Sequence, residues 1–63
     1  MKKFKVLIDI FHGRDRVETK AFTVEAGNKK MATIRALSEV SKIKEFASFY
    51  KSVKSVEEVN YAV

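Results

Sequence analysis

Apolar residues occupy every second position near the start of the chain. From Phe4 to Ile10 the even positions are all large and apolar, whereas lysine and aspartate recur at the odd positions. A two-residue period of this kind is typical of a β-strand that buries one face. Leu7 and Phe11 stand at odd positions, so we expect the opposite face of this strand to carry apolar side chains too.

A second alternating run, Val17–Val24, follows a polar segment that contains a glycine. The segment His12–Arg16 predicts a hairpin loop of roughly three to five residues, so the second strand returns antiparallel to the first. On this second strand Phe22 and Val24 share a face with Lys20. Because the apolar pair is far from the turn, we expect the buried end of the strand to lie toward the next element.

The apolar period changes at Gly27-Asn28 from two residues to three or four. Asn28 is a favoured N-cap, because its side-chain oxygen accepts a hydrogen bond from a free amide of the first turn. Lys29 and Lys30 then stand in that first turn, where the helix dipole disfavours cations. The helix is expected to pack on the sheet through an apolar stripe at every third residue, Met31, Ile34, Leu37 and Val40.

The last third of the chain fits two interpretations. Phe46–Val53 matches a helical stripe, whereas Tyr50–Val59 is rich in valine and favours a strand. We predict a strand, because two strands and a helix leave a sheet too narrow for independent stability. The expected fold is an α+β domain of order ββαβ, with a three-stranded, mostly antiparallel sheet and one helix packed on one face. Residues 1–63 are expected to form this single small domain, with a loose tail at 60–63.

The chain has 63 residues, with 13 lysine or arginine and 8 aspartate or glutamate side chains, and a formal net charge of +5. A positive balance of this size attracts polyanions, and it equally keeps a small domain dispersed. The chain has no cysteine and one histidine, which leaves no disulfide and too few ligands for a structural zinc. Lys5 and Asp9 interrupt the first apolar run, so we expect neither a secretory signal nor a membrane span, and we place the protein in the cytoplasm.

The sequence offers no set of residues that would name a reaction. Its serines share a single histidine and stand outside any nucleophile-elbow motif. Asp9, His12 and Asp15 are spaced like a metal site, but Asp9 and His12 belong to opposite faces of the strand and Asp15 to the turn. We therefore predict a protein that is not an enzyme, binds no metal and needs no cofactor.

The basic residues predict a binding surface. Arg14 and Arg16 on the hairpin are expected to form a cluster with two lysines at the helix start, Lys29 and Lys30. Such a cluster grips phosphate groups, although Arg16 can instead form an ion pair with a neighbouring acidic residue. The leading functional hypothesis is therefore a contact with nucleic acid or a ribonucleoprotein.

One helix covers only one face of a three-stranded sheet, so we expect the other face to be open. Leu7 and Phe11, with Tyr50 alongside, are predicted to lie on it. Aromatic rings interleaved with lysines on an exposed sheet are typical of a stacking platform for single-stranded nucleic acid, so Lys5 and Phe11 form an alternative patch for this contact. The competing hypothesis is a protein interface at Leu7, Phe11 and Tyr50, used by an accessory or inhibitor protein or by a homodimer. The sequence leaves the partner, any base preference and the oligomeric state open.

The segment VEAGNKKMATIRALSEV, residues 24–40, resembles part of the small archaeal and eukaryotic ribosomal proteins of the LX type. In that family an alanine ends the second strand, and an alanine-centred helix ends in a Leu-Ser-Glu-like turn before a final strand. The resemblance implies a ββαβ fold and a contact with ribosomal RNA, although Ser41–Glu45 stands where the family has a basic turn. Small phage and prophage proteins have a similar size and style, which implies a host protein as partner. The residues that carry the ribosomal resemblance are Val24, Ala26, Ala32, Leu37, Ser38 and Glu39.

Overall fold

The computed structural model describes residues 2–59, which form a three-stranded antiparallel sheet with one α-helix packed on one face. The strand order is β2-β1-β3, so the first strand is central and the other two are edges. The predicted α+β class and ββαβ order are confirmed, and the tail at 60–63 lies outside the described residues. The elements are β1 (Lys2–His12), β2 (Asp15–Ala26), α1 (Lys29–Ser41), a 3-10 helix (Lys44–Phe46) and β3 (Tyr50–Glu58).

The even side chains of β1 form the centre of the core, as their alternation predicted. Ile8 and Ile10 are fully buried, and Phe4 is 2% exposed. The helix meets these side chains through small residues, Ala32 and Ala36, which allow its backbone to approach the sheet closely. Among residues 2–59 the buried core consists of Phe4, Val6, Ile8, Ile10, Ala26, Ala32, Ala36 and Val40.

The face that α1 turns toward the sheet differs from the predicted one. Val40 is buried and Leu37 is partly buried, but Met31 is 42% exposed and Ile34 is 52% exposed. The reason is geometric, because a helix has 3.6 residues per turn and a stripe at every third residue lags by about 60° at each step. From Met31 to Val40 the lag reaches about half a turn, so the stripe cannot keep to one face.

The hairpin is tighter than predicted, because β1 and β2 continue to His12 and Asp15 and leave only Gly13 and Arg14 between them. Gly13 has φ of +66°, and no other residue among 2–59 has a positive φ. A positive φ at only the first of two central residues is the arrangement of a type II′ turn, which suits the twist of a hairpin. The register of the hairpin shifts at Val17, which forms a bulge in β2.

The strand predicted in the valine-rich run Tyr50–Val59 is confirmed as β3, and the helical stripe that begins at Phe46 corresponds only to a short 3-10 helix. The chain first forms the 3-10 helix and a turn, and both Phe46 and Phe49 pack against the core. The helix is too short to cover the whole sheet, because α1, with 13 residues, is roughly 20 Å long, whereas β1, with 11 residues, extends about 36 Å. The two phenylalanines therefore cover the hairpin end of the sheet, which the helix does not reach.

Candidate binding surfaces

The four basic residues predicted to form one cluster lie at two ends of the molecule. Arg14 is in the hairpin turn and Arg16 is near the start of β2, whereas Lys29 and Lys30 begin α1 just after β2 ends. The 12 residues of β2 separate the two pairs by roughly 35–40 Å, which is close to the longest dimension of 41 Å. A single phosphate-binding cluster of these residues is therefore not formed.

Arg16 has a partner on the open face of the sheet. Its Nη1 lies 4.0 Å from Oδ1 of Asp9, and the Thr19 hydroxyl donates a 2.6 Å hydrogen bond to the same oxygen. Glu18, one of the acidic residues close to Arg16 in sequence, instead contacts Lys20 at 3.0 Å. The Arg16 guanidinium is thus less available to a ligand than Arg14, which is in none of the ion pairs found within residues 2–59.

The open face of the sheet carries the predicted apolar residues in a setting of balanced charge. Leu7 lies at its centre, and Phe11 is opposite Tyr50 with ring centroids 6.1 Å apart. Lys5 is exposed on the same face, between Thr23 and Glu57 of the neighbouring strands. The charged residues whose register positions place them on this face are three of each sign, Lys3, Lys5 and Arg16 with Asp9, Glu25 and Glu57, and Lys54 in the bulge of β3 has no register position.

The excess positive charge lies on the helical side. Lys29 and Lys30 are exposed at the start of α1, and Arg35 is exposed one turn further along. None of these three belongs to an ion pair among the described residues, whereas Lys42 contacts Glu39 at 3.5 Å. We call the exposed cations of residues 29–45 the basic helical surface. They are Lys29, Lys30, Arg35, Lys42 and Lys44, and the same segment contains two exposed acidic residues, Glu39 and Glu45.

A groove of about 520 Å³ lies between β2 and α1, at the edge of the sheet. Phe22 and Val24 are partly buried there, and they pack against the core. The sequence pattern did not reveal this groove, because the pattern does not tell which strand is at the edge and which side of α1 faces it. The residues that line it are Phe22, Thr23, Val24 and Glu25 of β2 with Arg35, Ser38 and Glu39 of α1.

Asp9 and His12 lie on opposite faces of β1, as the alternation predicted. Asp9 bonds to Thr19 on the open face, whereas the His12 ring packs 5.0 Å from that of Phe49 on the helical side. No group of three metal-ligating side chains occurs within the part of the chain that the structure describes. No helix in that part has the length and hydropathy to cross a bilayer.

No family model matches the sequence, and comparisons with curated proteins and with solved structures found no match. The resemblance to ribosomal proteins of the LX type therefore stays a prediction. Function is inferred below from the surfaces of this chain alone.

Proposed function

We propose that this protein is a small non-catalytic module that binds nucleic acid through the basic helical surface. The separation of charge between the two sides of the molecule supports this proposal. The charged residues that the register places on the open sheet face are three of each sign, whereas residues 29–45 carry five basic and two acidic side chains, all of them exposed. A phosphate backbone is attracted to the side with uncompensated cations.

Lys29 and Lys30 are the central residues of this proposal. They stand at the positive end of the helix dipole, where a cation costs some tenths of a kcal/mol. A bound phosphate removes that conflict, because it is attracted both by the two lysines and by the free amides of the first turn. Asn28 already occupies one of those amides, since its side-chain oxygen accepts a 2.9 Å hydrogen bond from Met31.

The contact is expected to be with phosphates and not with bases. Phe11 and Tyr50, which are suited to stacking, lie on the opposite side of the sheet from the basic helical surface. A nucleic-acid strand bound along the basic helical surface therefore does not reach these two rings. Phosphate contacts give little sequence preference and a steep dependence on salt, roughly 0.9 log units of affinity per log unit of salt for each phosphate.

The test compares two double variants that remove the same charge from opposite ends of the molecule. Lys29→Gln with Lys30→Gln changes the helix start, and Arg14→Gln with Arg16→Gln changes the hairpin as the matched control. Binding to a mixed-sequence duplex and to its single strand is measured by fluorescence anisotropy at several salt concentrations. We expect the helix variant to weaken binding and to make the salt slope shallower by roughly 1.8, the value for two lost phosphate contacts.

The hairpin variant is expected to retain most of the affinity. Loss of binding in that variant alone would move the site to the hairpin, as the sequence predicted. Equal losses in both would show that only the net charge matters, and no binding by the parent chain at low salt would refute the proposal.

A second candidate function is a contact with another protein through the open sheet face. The observation that favours it is an apolar and aromatic cluster on this face, in which Leu7 and Phe11 are partly exposed and Tyr50 is exposed. Partner capture through this face would be lost in the variant Phe11→Ser with Tyr50→Ser and retained in the helix variant. It would also resist moderate salt, because apolar contacts are not screened.

A further inference from the structure

The outer edge of β2 is regular and pairs with no other strand of the part of the chain that the structure describes. From Glu18 to Ala26 it pairs residue for residue with β1, and its register shift lies outside this span, at Val17. Outside the sheet ladders, none of the backbone hydrogen bonds among residues 2–59 involves β2. The outward amides and carbonyls of such an edge are a template for another strand.

The other edge is protected. The register of β3 shifts in its middle, where Lys54 has no partner opposite it in β1. The Lys51 ammonium donates a hydrogen bond to the carbonyl of Ala47, in the turn that precedes β3. Bulges and lysines are the usual features that prevent edge pairing. The span Glu18–Ala26 of β2 has no bulge and no proline, and its charged residues Glu18, Lys20 and Glu25 flank an uncharged centre, Ala21–Val24.

We propose that a second copy of this chain pairs with β2, antiparallel and about a two-fold axis, to give a continuous six-stranded sheet. The axis is placed at Phe22, because Phe22 is the midpoint of the regular span Glu18–Ala26. In this register Ala21 is opposite the partner's Thr23, and Lys20 is opposite the partner's Val24. An axis at Lys20 would instead oppose two like charges, which destabilises a strand pair.

The groove beside β2 favours a second copy because its helical wall carries one basic and one acidic side chain. Arg35 and Glu39 stand one helical turn apart on its wall, with the small Ser38 between them. Antiparallel pairing keeps both helices on the same side of the sheet. The two-fold axis then brings Arg35 of each copy toward Glu39 of the other copy. Phe22 and Val24, partly buried on the floor, then gain apolar neighbours.

The small size of the domain also favours a dimer, because its own core is small. A domain of 63 residues hides only about 60% of the surface of its unfolded chain, and oligomerisation is a common source of additional stability. Within residues 2–59 the buried core contains no polar or charged residue, and it forms one layer between sheet and helix. Pairing through β2 extends that layer without changing the fold.

The test uses charges placed at positions that face each other only in the proposed register. Ala21 and Thr23 are both exposed, so substitutions there leave the core intact. Ala21→Lys with Thr23→Lys opposes like charges twice and should give a monomer. Ala21→Lys with Thr23→Glu places each lysine opposite a glutamate of the partner and should restore the dimer. With an axis at residue 21 instead, the same variant would place the two copies of the new lysine opposite each other and would stay monomeric. Ser52→Lys with Ser55→Lys adds the same charge to β3 and is the matched control.

Sedimentation equilibrium at several protein concentrations gives the mass, and circular dichroism checks that each variant is folded. We expect twice the chain mass of 7.2 kDa for the parent, the control and the Lys/Glu variant, and the chain mass for the Lys/Lys variant. A monomeric parent, a dimeric Lys/Lys variant or a monomeric Lys/Glu variant would each overturn the proposal. Because none of these variants touches Lys29 or Lys30, a monomer that binds oligonucleotides would overturn the dimer and leave the proposed function standing.

Discussion

Gly13 shows how one residue sets the geometry of the hairpin. Its φ of +66° lies in the region that is costly for residues with a Cβ atom. A Cβ built at Gly13 would meet no atom within 4 Å, so the requirement is conformational and not steric with respect to its neighbours. Gly27 has equally open surroundings but no positive φ, which makes it a natural reference.

We predict that Gly13→Ala lowers the free energy of unfolding by about 1–2 kcal/mol. Gly27→Ala should leave it unchanged or raise it by about 0.4–1 kcal/mol, because the unfolded chain loses freedom. Urea unfolding followed by circular dichroism measures both values. Equal effects of the two substitutions would show that the backbone at Gly13 is not the reason for its glycine.

Local residue chemistry was predictable, whereas contacts across strands were not. The Asn28 cap was predicted from its position before a helical period, and the bond to Met31 confirms it. The partner of Arg16 is Asp9, and this pair depends on the register of the hairpin and on the bulge at Val17. A sequence pattern contains the alternation of a strand but not the exact residue that lies across from it.

At the scale of elements, α1 is buried through its small residues. Ala32, Ala36 and Val40 follow a four-residue spacing, which stays closer to one face of a helix than a three-residue spacing does. The larger side chains of Met31 and Ile34 point away from the sheet and are exposed. The prediction from hydrophobicity alone was therefore wrong about which face of the first half of this helix is buried.

The corrected face leads to a prediction that pairs a small buried residue with a large exposed one. Ala36→Leu should destabilise the protein by about 1–3 kcal/mol, because fully buried Ala36 leaves no room for added methyl groups. Ile34→Ala should cost less than about 1 kcal/mol, because half of its surface is already in water and alanine favours the helix. Chemical denaturation measures both variants, and a reversed order would restore the face predicted from sequence.

At the scale of the whole molecule, the difference in length between helix and strands decides where the core continues. The dimensions of 41 × 17 × 17 Å reflect strands that extend beyond the helix at the hairpin end. Phe49 fills this region by packing against His12 and against Phe46, whose rings lie 5.0 and 5.9 Å away. Lys20 of β2 adds a cation 5.8 Å from the centre of the Phe46 ring.

We predict that Phe49→Ala lowers the free energy of unfolding by roughly 1–3 kcal/mol, less than for a fully buried phenylalanine because Phe49 is only partly buried. Tyr50→Thr, at the next position, is the reference, since Tyr50 is 69% exposed on the other face and threonine keeps the preference for strands. Its cost should stay below about 1 kcal/mol. Hydrogen exchange at β1 amides near Ile10 should increase in Phe49→Ala alone.

The sequence by itself determined the elements and their order. Alternation in β1, the cap at Asn28 and the valine-rich run of β3 are local patterns, and each depends on neighbours a few residues away along the chain. It also determined the buried side of β1, because a two-residue period admits only two faces and the apolar one is clear.

The tertiary structure decided which surfaces are left for function. Placing β1 in the centre made β2 and β3 edges, placed Arg14 and Lys29 at opposite ends, and separated the open sheet face from the basic helical surface. It also formed the groove beside β2 from Phe22 and Arg35, which are distant in sequence. These features depend on strand order, register and element length together, and hydrophobic periodicity specifies none of the three.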